Sequence, residues 1–590
     1  MCGLTGWQIN SSISKELKSQ AGAFTLSQSH RGPDATDFFL KDDASVYLGH
    51  NRLSIIDLSN AANQPMYSNA GDVMILNGEI YNYKELRLEL IKKGHSFTTS
   101  SDSEVVLKAY VEWGVEFTKK MHGMYAIAIW DKNSNTIHLF RDPLGIKPIY
   151  YWVMPNQQGV VFASELKSFM QIDSFTPTVS DLALSHFVEF GHSISPEKTI
   201  FENVFKLQPG HRLELSNHKA SKQIRFYSPP LKLESIGKNV DLEEHLYTTL
   251  SDVIKEHMVA DVPIGLLLSG GLDSSLIASI ASQHSLVHTF SMGFADSNVD
   301  ERPFAKKVSN SIGSIHKEIL IDPEEIIEQL EHLPAHFDDL FADWGMVTTK
   351  LLYSKCKEQG IKVVLVGEGS DELFGGYNVF KQSLKNSPIE IALFRLYRQY
   401  IGRRYGSNYR EFRALMKSYL GQCNNDLFSA IRLFETRTQL PNNFVMKVDK
   451  ASMATSIEAR TPFLDSRIAD IAYQLSKDEL INNSDEKLIL KSIARRYKLL
   501  PEEIIERRKF GSGIASNWLE ESPSFRTYAR EHILAPNSWV DRLNLRGAMQ
   551  RYFDHGETGY AFPRSISIFS NLAWRLLILS LWSKSLGLNS

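Results

Sequence analysis

VPIGLLLSGGLDSSLIASIAS, residues 262–282, runs from an apolar stretch through a Gly-rich turn into a second apolar, Ser-containing stretch. Ile264 to Leu268 predicts a short buried strand, and a helix is expected to begin near Ser274. Backbone N–H groups at a helix start attract anions. Gly270 and Gly271 allow close backbone approach, while Ser269, Ser274 and Ser275 add hydroxyl donors. The GxxxxGK[ST] pattern is absent, so this is an anion loop of another kind. VVLVGEGSDELFGGY, residues 363–377, repeats the order of strand, Gly-rich loop and helix. HTFSMGF, residues 288–294, gives a third strand between them. Strands alternating with helices predict a doubly wound parallel sheet, whose ligands sit at the carboxyl ends of its strands. Asp273 and Asp371 would then stand beside the anion, where paired carboxylates usually hold Mg²⁺ together with phosphate oxygens.

Working outward from residue 262 towards the N-terminus, the texture changes. Short β-rich runs alternate with turn signals up to about residue 210, and DKNSN at 131–135 reads as a hairpin turn. Helices are expected at Tyr83 to Lys93 and Glu104 to Trp113. This half is predicted to stack sheet on sheet with helices outside. The polar stretch 211–240 is taken as a linker between units at 2–210 and 241–590.

The bulk properties narrow the function classes. A chain of 590 residues is long enough for two or more cores. A net charge of -3 gives no basic footprint for nucleic acid and no polybasic membrane anchor. Leu572 to Trp582 is apolar but broken by Arg575 and too short to span a bilayer. No basic segment followed by an apolar run opens the chain, so no secretory signal is expected. Cys2, Cys356 and Cys423 cannot make a disulfide framework and suit a reducing, cytoplasmic location. Neither CxxC nor HExxH occurs, which argues against zinc.

Cys2 follows the initiator Met. Removal of Met1 would leave an α-amine able to serve as base for its own thiol. Five further motifs follow in order: HRGPD (30–34), NRLSIID (51–57), LNGEIYNY (76–83), SDSE (101–104) and RDPLGIKPIYY (141–151). Together with MCGLTGW at the start, this set resembles the class II, N-terminal-nucleophile glutamine amidotransferases. The resemblance implies an αββα sandwich and glutamine as substrate. Arg52 would hold the α-carboxylate in a bidentate fork. Asp102, helped by Glu79, would hold the α-ammonium. Asn77 and the Gly78 N–H would stabilise the oxyanion formed as Cys2 attacks. Leu53 and Ile55 would line the glutamine site. Arg31 and Asp34 are expected to be structural, with Pro33 fixing their turn.

The SGGLDS loop resembles that of the ATP pyrophosphatases, whose fold is adenine-nucleotide-α-hydrolase-like. Adding MKVDKASMATSIEARTPFLDSRIAD (446–470) and KLILKSIARRYKLLPEEIIERRKFGSG (487–513), nearly the whole chain resembles glutamine-hydrolysing asparagine synthetase. That resemblance implies an α/β two-domain enzyme, a carbon–nitrogen ligase taking nitrogen from glutamine and using ATP and Mg²⁺. Leu268, Met292, Val366 and Gly367 match its nucleotide contacts, beside Ser269, Gly270, Gly271, Asp273, Ser274 and Ser275. Asp273 and Asp371 match the carboxylates of its Mg–pyrophosphate site. Glu368 would deprotonate the attacking ammonia or steady the tetrahedral intermediate. Lys509 would stabilise charge on phosphate and intermediate, with Lys487 a further phosphate contact. Lys447, Asp449 and Arg460 match a family motif and are expected to tie helices together. The implied acceptor is aspartate, and the implied assembly a homodimer. Val366 stands where many relatives carry Ser, Lys450 where Arg is usual, and FGSGIASNW departs from the usual ending. FADWGMVTT (341–349) is similar to relatives that amidate sugar uronic acids. A uronic acid of a surface polysaccharide precursor is therefore the alternative acceptor.

Overall fold

The computed structural model describes residues 2–231, 241–294, 300–401, 407–507, 519, 522–555 and 566–588. Among them the strands form three sheets. The first two are antiparallel and lie face to face. One runs in the order Val204–Lys206, Tyr150–Val153, Gly159–Ala163, Gly3–Ile9, Val46–Arg52, Ala35–Leu40. The other runs Lys219–Ala220, His211–Ser216, Thr136–Arg141, Gly123–Asp131, Val73–Ile80, Met66–Tyr67, with Ile224–Arg225 also paired to His211–Ser216.

Alternation along each strand explains the layering. Leu4, Val46, Leu48, Val73, Ile75, Ala126 and Ala128 point between the sheets and form one core. Their neighbours Trp7, Ile9 and Tyr47 point outward onto Leu17, Ala21 and Phe24 of the helix Ser14–Leu26. On the opposite side Met74, Leu76, Ile127 and Ile129 meet Leu86, Leu90 and Val106 of the helices Tyr83–Lys92 and Asp102–Trp113. The result is the expected αββα sandwich. The stretch 211–240, read as a linker, contributes three strands of the second sheet, down to Arg225. They are short, and Ile224 and Arg225 are exposed, so they carry little hydrophobic signal. Residues 232–240 lie outside the described residues.

The third sheet is parallel throughout, in the order Ile315–Ile321, His288–Phe294, Ile264–Leu267, Val363–Leu365, Glu458–Arg460. From Ile264–Leu267 the chain first builds outward to one side, then returns to build the other. The crevice of a doubly wound sheet lies where strand order reverses in this way. Here it lies between the loops that follow Leu267 and Leu365. The helix Leu272–Ser282 buries Leu276, Ile277 and Ile280 against the sheet, and its glycine-led start faces the crevice.

The two units are not separated by a gap. The apolar clusters outside both antiparallel sheets continue into the C-terminal unit. The helix Ile566–Ser585 belongs to this core: Trp582 Nε1 donates to Asp338 O and Arg575 Nη1 to Val188 O. Among the described residues no helix is long and apolar enough to cross a membrane.

Candidate active site

Two clusters of polar side chains gather most of the residues singled out by sequence. The first is a pocket enclosing about 370 Å³ of empty space, counted to its mouth, with Cys2, Arg52, Leu53, Ile55, Gly78, Glu79 and Asp102 on its wall. Cys2 directly precedes the strand Gly3–Ile9 of the first sheet and is buried. Burial pushes its thiol upward; the Leu53 backbone N–H, bonded to the sulfur, and the Arg52 charge pull the other way. Asn77 accepts a hydrogen bond from the Cys2 nitrogen through Oδ1, 2.9 Å away. Its Nδ2 is buried with no hydrogen-bond partner among the described residues, a donor still free for an oxyanion. Gly78 cannot be replaced without moving backbone, because an added Cβ would meet Met124 O at 2.0 Å.

Arg52 is aimed by neutral acceptors. Nη1 donates to Ser59 O and Asn63 Oδ1, both at 2.8 Å, and Nη2 to the Ile56 and Asp57 carbonyls. No carboxylate pairs with it among the described residues, so its charge can meet that of a ligand. Asp102 opens the helix Asp102–Trp113, but the capping side chain is Ser101, which accepts from Glu104 N. Asp102 instead accepts from Ile80 N at 3.0 Å. Its burial pushes the carboxyl up to about 6. Glu79 is raised further, first by burial and then by the Asp102 charge beside it.

Sequence reasoning missed Gln64, Ser101, Ser103 and Glu458, all on the pocket wall. Glu458 comes from the last strand of the parallel sheet, in the other unit. Burial would raise its carboxyl, but Arg460 holds it below the usual range. Arg460 ties a strand to a helix end rather than two helices: it sits in that strand and donates to His257 O, at the end of the helix Leu242–His257, at 2.7 Å. It also binds Glu458 Oε1 at 2.6 Å and reaches Glu79 Oε2 at 3.3 Å. Its own carbonyl accepts from Val366 N at 2.9 Å, so this one strand touches both clusters.

Arg31 spans the units as well. Nε donates to Cys2 O at 3.0 Å, while Nη1 and Nη2 take both oxygens of Asp449 at 2.9 and 3.1 Å. Glu165 completes the buried group at 3.0 Å.

The second cluster lies in the crevice of the parallel sheet. Gly270 has φ +68°, and an added Cβ would strike Phe304 and Ala305 at 2.6 Å. Ser269 Oγ accepts from Gly271 N at 3.2 Å and lies 3.0 Å from Ser274 Oγ. Ser275 Oγ is buried with no partner among the described residues. Gly367 packs against this loop, its missing Cβ 3.2 Å from Ser274 N. Leu268 N is bonded to Phe290 O, two residues before Met292 at the same sheet edge. Asp273 and Asp371 converge on one point, occupied by the Lys487 ammonium at 2.6 and 2.7 Å. Those carboxylates raise the Lys487 amine above its ordinary value although burial opposes them. A cation is therefore at home between them, and the residues fit Mg²⁺ shared with phosphate oxygens. Arg507, also missed, donates to Ser269 O at 3.2 Å and pairs with Glu301. Glu368 is half-buried; burial pulls the Lys447 amine down, but the charges of Asp343 and then Glu368 hold it above its ordinary value. Lys509 lies outside the described residues.

A family profile described as asparagine synthase matches residues 245–584. The chain belongs to that family. A second profile, described as a glutamine amidotransferase domain, matches residues 1–227, ending beside the last strand of the second sheet. The chain is 32 % identical over 542 residues to asparagine synthetase [glutamine-hydrolyzing] 1 of Bacillus subtilis, covering 83 % of each. It is 27 % identical to asparagine synthetase [glutamine-hydrolyzing] 3 of the same organism, over 92 % of this chain and 90 % of that one. To asparagine synthetase B [glutamine-hydrolyzing] of Escherichia coli it is 28 % identical, over 88 % and 84 %. This member of the asparagine synthase family is an enzyme of glutamine-dependent amidation.

Proposed function

We propose that the protein converts aspartate to asparagine, with nitrogen drawn from glutamine and energy from ATP. The observation that carries this reading is the convergence of Cys2, Arg52 and Asp102 on one pocket, with Asn77 bonded to the Cys2 nitrogen and a single strand joining the pocket to the phosphate-type crevice. Arg52 holds the glutamine carboxylate and Asp102 the ammonium. The Cys2 sulfur attacks the side-chain amide carbon. Charge developing on the amide oxygen meets Asn77 Nδ2 and the Gly78 N–H. The α-amine freed by Met1 removal takes the thiol proton and passes it to the leaving nitrogen, so ammonia departs, and water then cleaves the thioester to release glutamate.

In the crevice the acceptor carboxylate attacks the α-phosphorus of ATP and displaces pyrophosphate. Ser269, Ser274, Ser275 and the amides at the helix start hold the phosphates. Leu268, Met292, Val366 and Gly367 border the nucleotide. Asp273 and Asp371 would hold Mg²⁺, which would neutralise pyrophosphate charge when bound. Ammonia attacks the acyl carbon and AMP leaves, with Glu368 taking the proton. The relatives' names favour aspartate as acceptor.

The test is mass spectrometry after incubation with glutamine, Mg-ATP and aspartate, beside a parallel incubation with a uronic acid. Asparagine, glutamate, AMP and pyrophosphate in equal amounts are expected. AMP release with the uronic acid alone would overturn the acceptor. ADP in place of AMP would overturn the adenylate.

A further inference from the structure

A second cavity lies on the seam between the two units and shares no lining residue with the Cys2 pocket or the SGGLDS loop. It offers about 800 Å³ of space, open solvent at its mouth included. One side comes from the strands His211–Ser216 and Ile224–Arg225 and the turn at Pro143. The other comes from the helix Tyr409–Gln422 and the segment Glu435–Phe444. Each side supplies one guanidinium, Arg225 and Arg437.

These two cations have only neutral partners. Arg225 Nε donates to His211 Nε2 at 3.4 Å. His211 Nδ1 donates to Pro209 O at 2.7 Å, which fixes the tautomer that leaves Nε2 as acceptor. Burial and both guanidinium groups hold His211 down at about 4, so it stays neutral and keeps aiming Arg225. Arg437 donates to Gln422 Oε1 at 2.7 Å and Ser228 Oγ at 3.2 Å. Among the described residues neither arginine has a carboxylate partner, and no Asp or Glu lines the cavity. The two charges feel each other: burial, then Arg437, pushes Arg225 below its ordinary value.

Two like charges facing one space favour a doubly charged anion, and guanidinium forks match phosphate oxygens. The walls between them are Tyr227, Tyr419, Tyr473, Pro143, Pro209 and Leu144. The Tyr227 and Tyr419 hydroxyls are committed to Asp470 and Thr438, so these residues offer the cavity ring surface. Such walls suit a planar apolar body. A free amino acid needs a carboxylate for its ammonium, and among the described residues the lining offers none, so the cavity suits an anion better than glutamine or aspartate.

We propose that this cavity binds a small organic phosphate dianion carrying a planar ring, of the nucleoside monophosphate type, clamped between Arg225 and Arg437. Because the two arginines belong to different units, the bound anion holds the seam closed.

The test is calorimetric titration of the full chain, kept in Mg²⁺ and α,β-methylene-ATP to fill the crevice of the parallel sheet. The probes are AMP, GMP and UMP, with inorganic phosphate and adenosine as fragments. At least one monophosphate is expected to bind at one site, more than tenfold tighter than either fragment. Arg225→Gln and Arg437→Gln should each weaken it at least tenfold while ammonia-driven turnover is kept. Arg225 is exposed on a two-residue edge strand, so its variant stands even if the Arg437 variant misfolds. No binding by any monophosphate, or binding that Arg225→Gln leaves unchanged, overturns the site. Phosphate binding as tightly as the monophosphates overturns the ring.

Discussion

Arg31 donates to both carboxylate oxygens of Asp449, and from the same guanidinium to the carbonyl of Cys2. The pair crosses from the Cys2 unit to the helix Val445–Met453 with neither side chain exposed. Removing one member of a buried ion pair leaves the other charge unpaired, at a cost of about 3–5 kcal/mol. Lys147, 3.6 Å from Asp449, offsets part of that loss. Arg31→Met should lower the urea midpoint, and should reduce glutamine-driven turnover more than ammonia-driven turnover, because only the former needs the Cys2 backbone in place. Equal loss of both activities would count against a positioning role.

Asn77 joins the Cys2 nitrogen to an unused donor, Nδ2. Asn77→Ala removes that donor. Loss of one oxyanion-hole donor typically lowers kcat by about 10²–10³. Glutaminase kcat should fall on that scale with KM for glutamine little changed, while ammonia-driven synthesis persists. A KM effect alone would make Asn77 a binding residue only.

Cys2→Ala removes the nucleophile and a single sulfur from a buried strand end. Glutamine hydrolysis should disappear and ammonia-driven amide formation should survive, with AMP release as the readout. Loss of both in a folded variant would contradict two separate sites.

What the sequence showed and what it hid follow from range. The strand, loop and helix at 262–282 are local, since glycine conformation and helix start are written in adjacent residues. The same is true of Tyr83–Lys92, found almost as expected. Glu458 and Arg460 were legible only as part of a motif. The reach of Arg460 to Glu79, and of Glu458 to the pocket wall, depends on the last strand being added at the sheet edge that faces the other unit. Lys487 was read as a phosphate contact. Its left-handed backbone, φ 54°, starts the helix Leu488–Arg496 beside the carboxylates it bridges, a backbone state no side-chain pattern announces. Gln64 and Arg507 lie outside any periodic run, and long-range packing alone brings them to the sites.

The Asp102 carboxyl, pushed up to about 6 by burial, gives two linked pH effects. A carboxyl raised in the folded state favours folding fully below its unfolded value and loses that contribution as pH rises through about 6. A rise from 3.8 to about 6 corresponds to roughly 3 kcal/mol at most. Asp102→Asn should therefore raise the Tm of the free protein near neutral pH and change it little below about pH 4. Holding an ammonium needs the ionised form, so kcat/KM for glutamine should rise with pH through an inflection near 6 in the native protein. The variant should lose that inflection along with most of its glutamine affinity. An inflection that survives Asp102→Asn would assign it to another group.

Lys487 sits where Asp273 and Asp371 converge, so in the nucleotide-free protein its ammonium competes with any divalent cation for that point. The resident ammonium blocks a divalent cation from the carboxylate pair until phosphate oxygens add ligands. Lys487→Met keeps chain length and removes the charge. Two carboxylates left facing each other should then recruit a divalent ion without nucleotide, seen as Mn²⁺ binding by electron paramagnetic resonance at concentrations that leave the native protein unoccupied. With Mg-ATP present the variant should still fall in AMP release, since the amine that bridges both carboxylates no longer follows the phosphates. Folded Lys487→Met that binds no Mn²⁺, and forms AMP at the native rate, would mean that this lysine only fastens the loop.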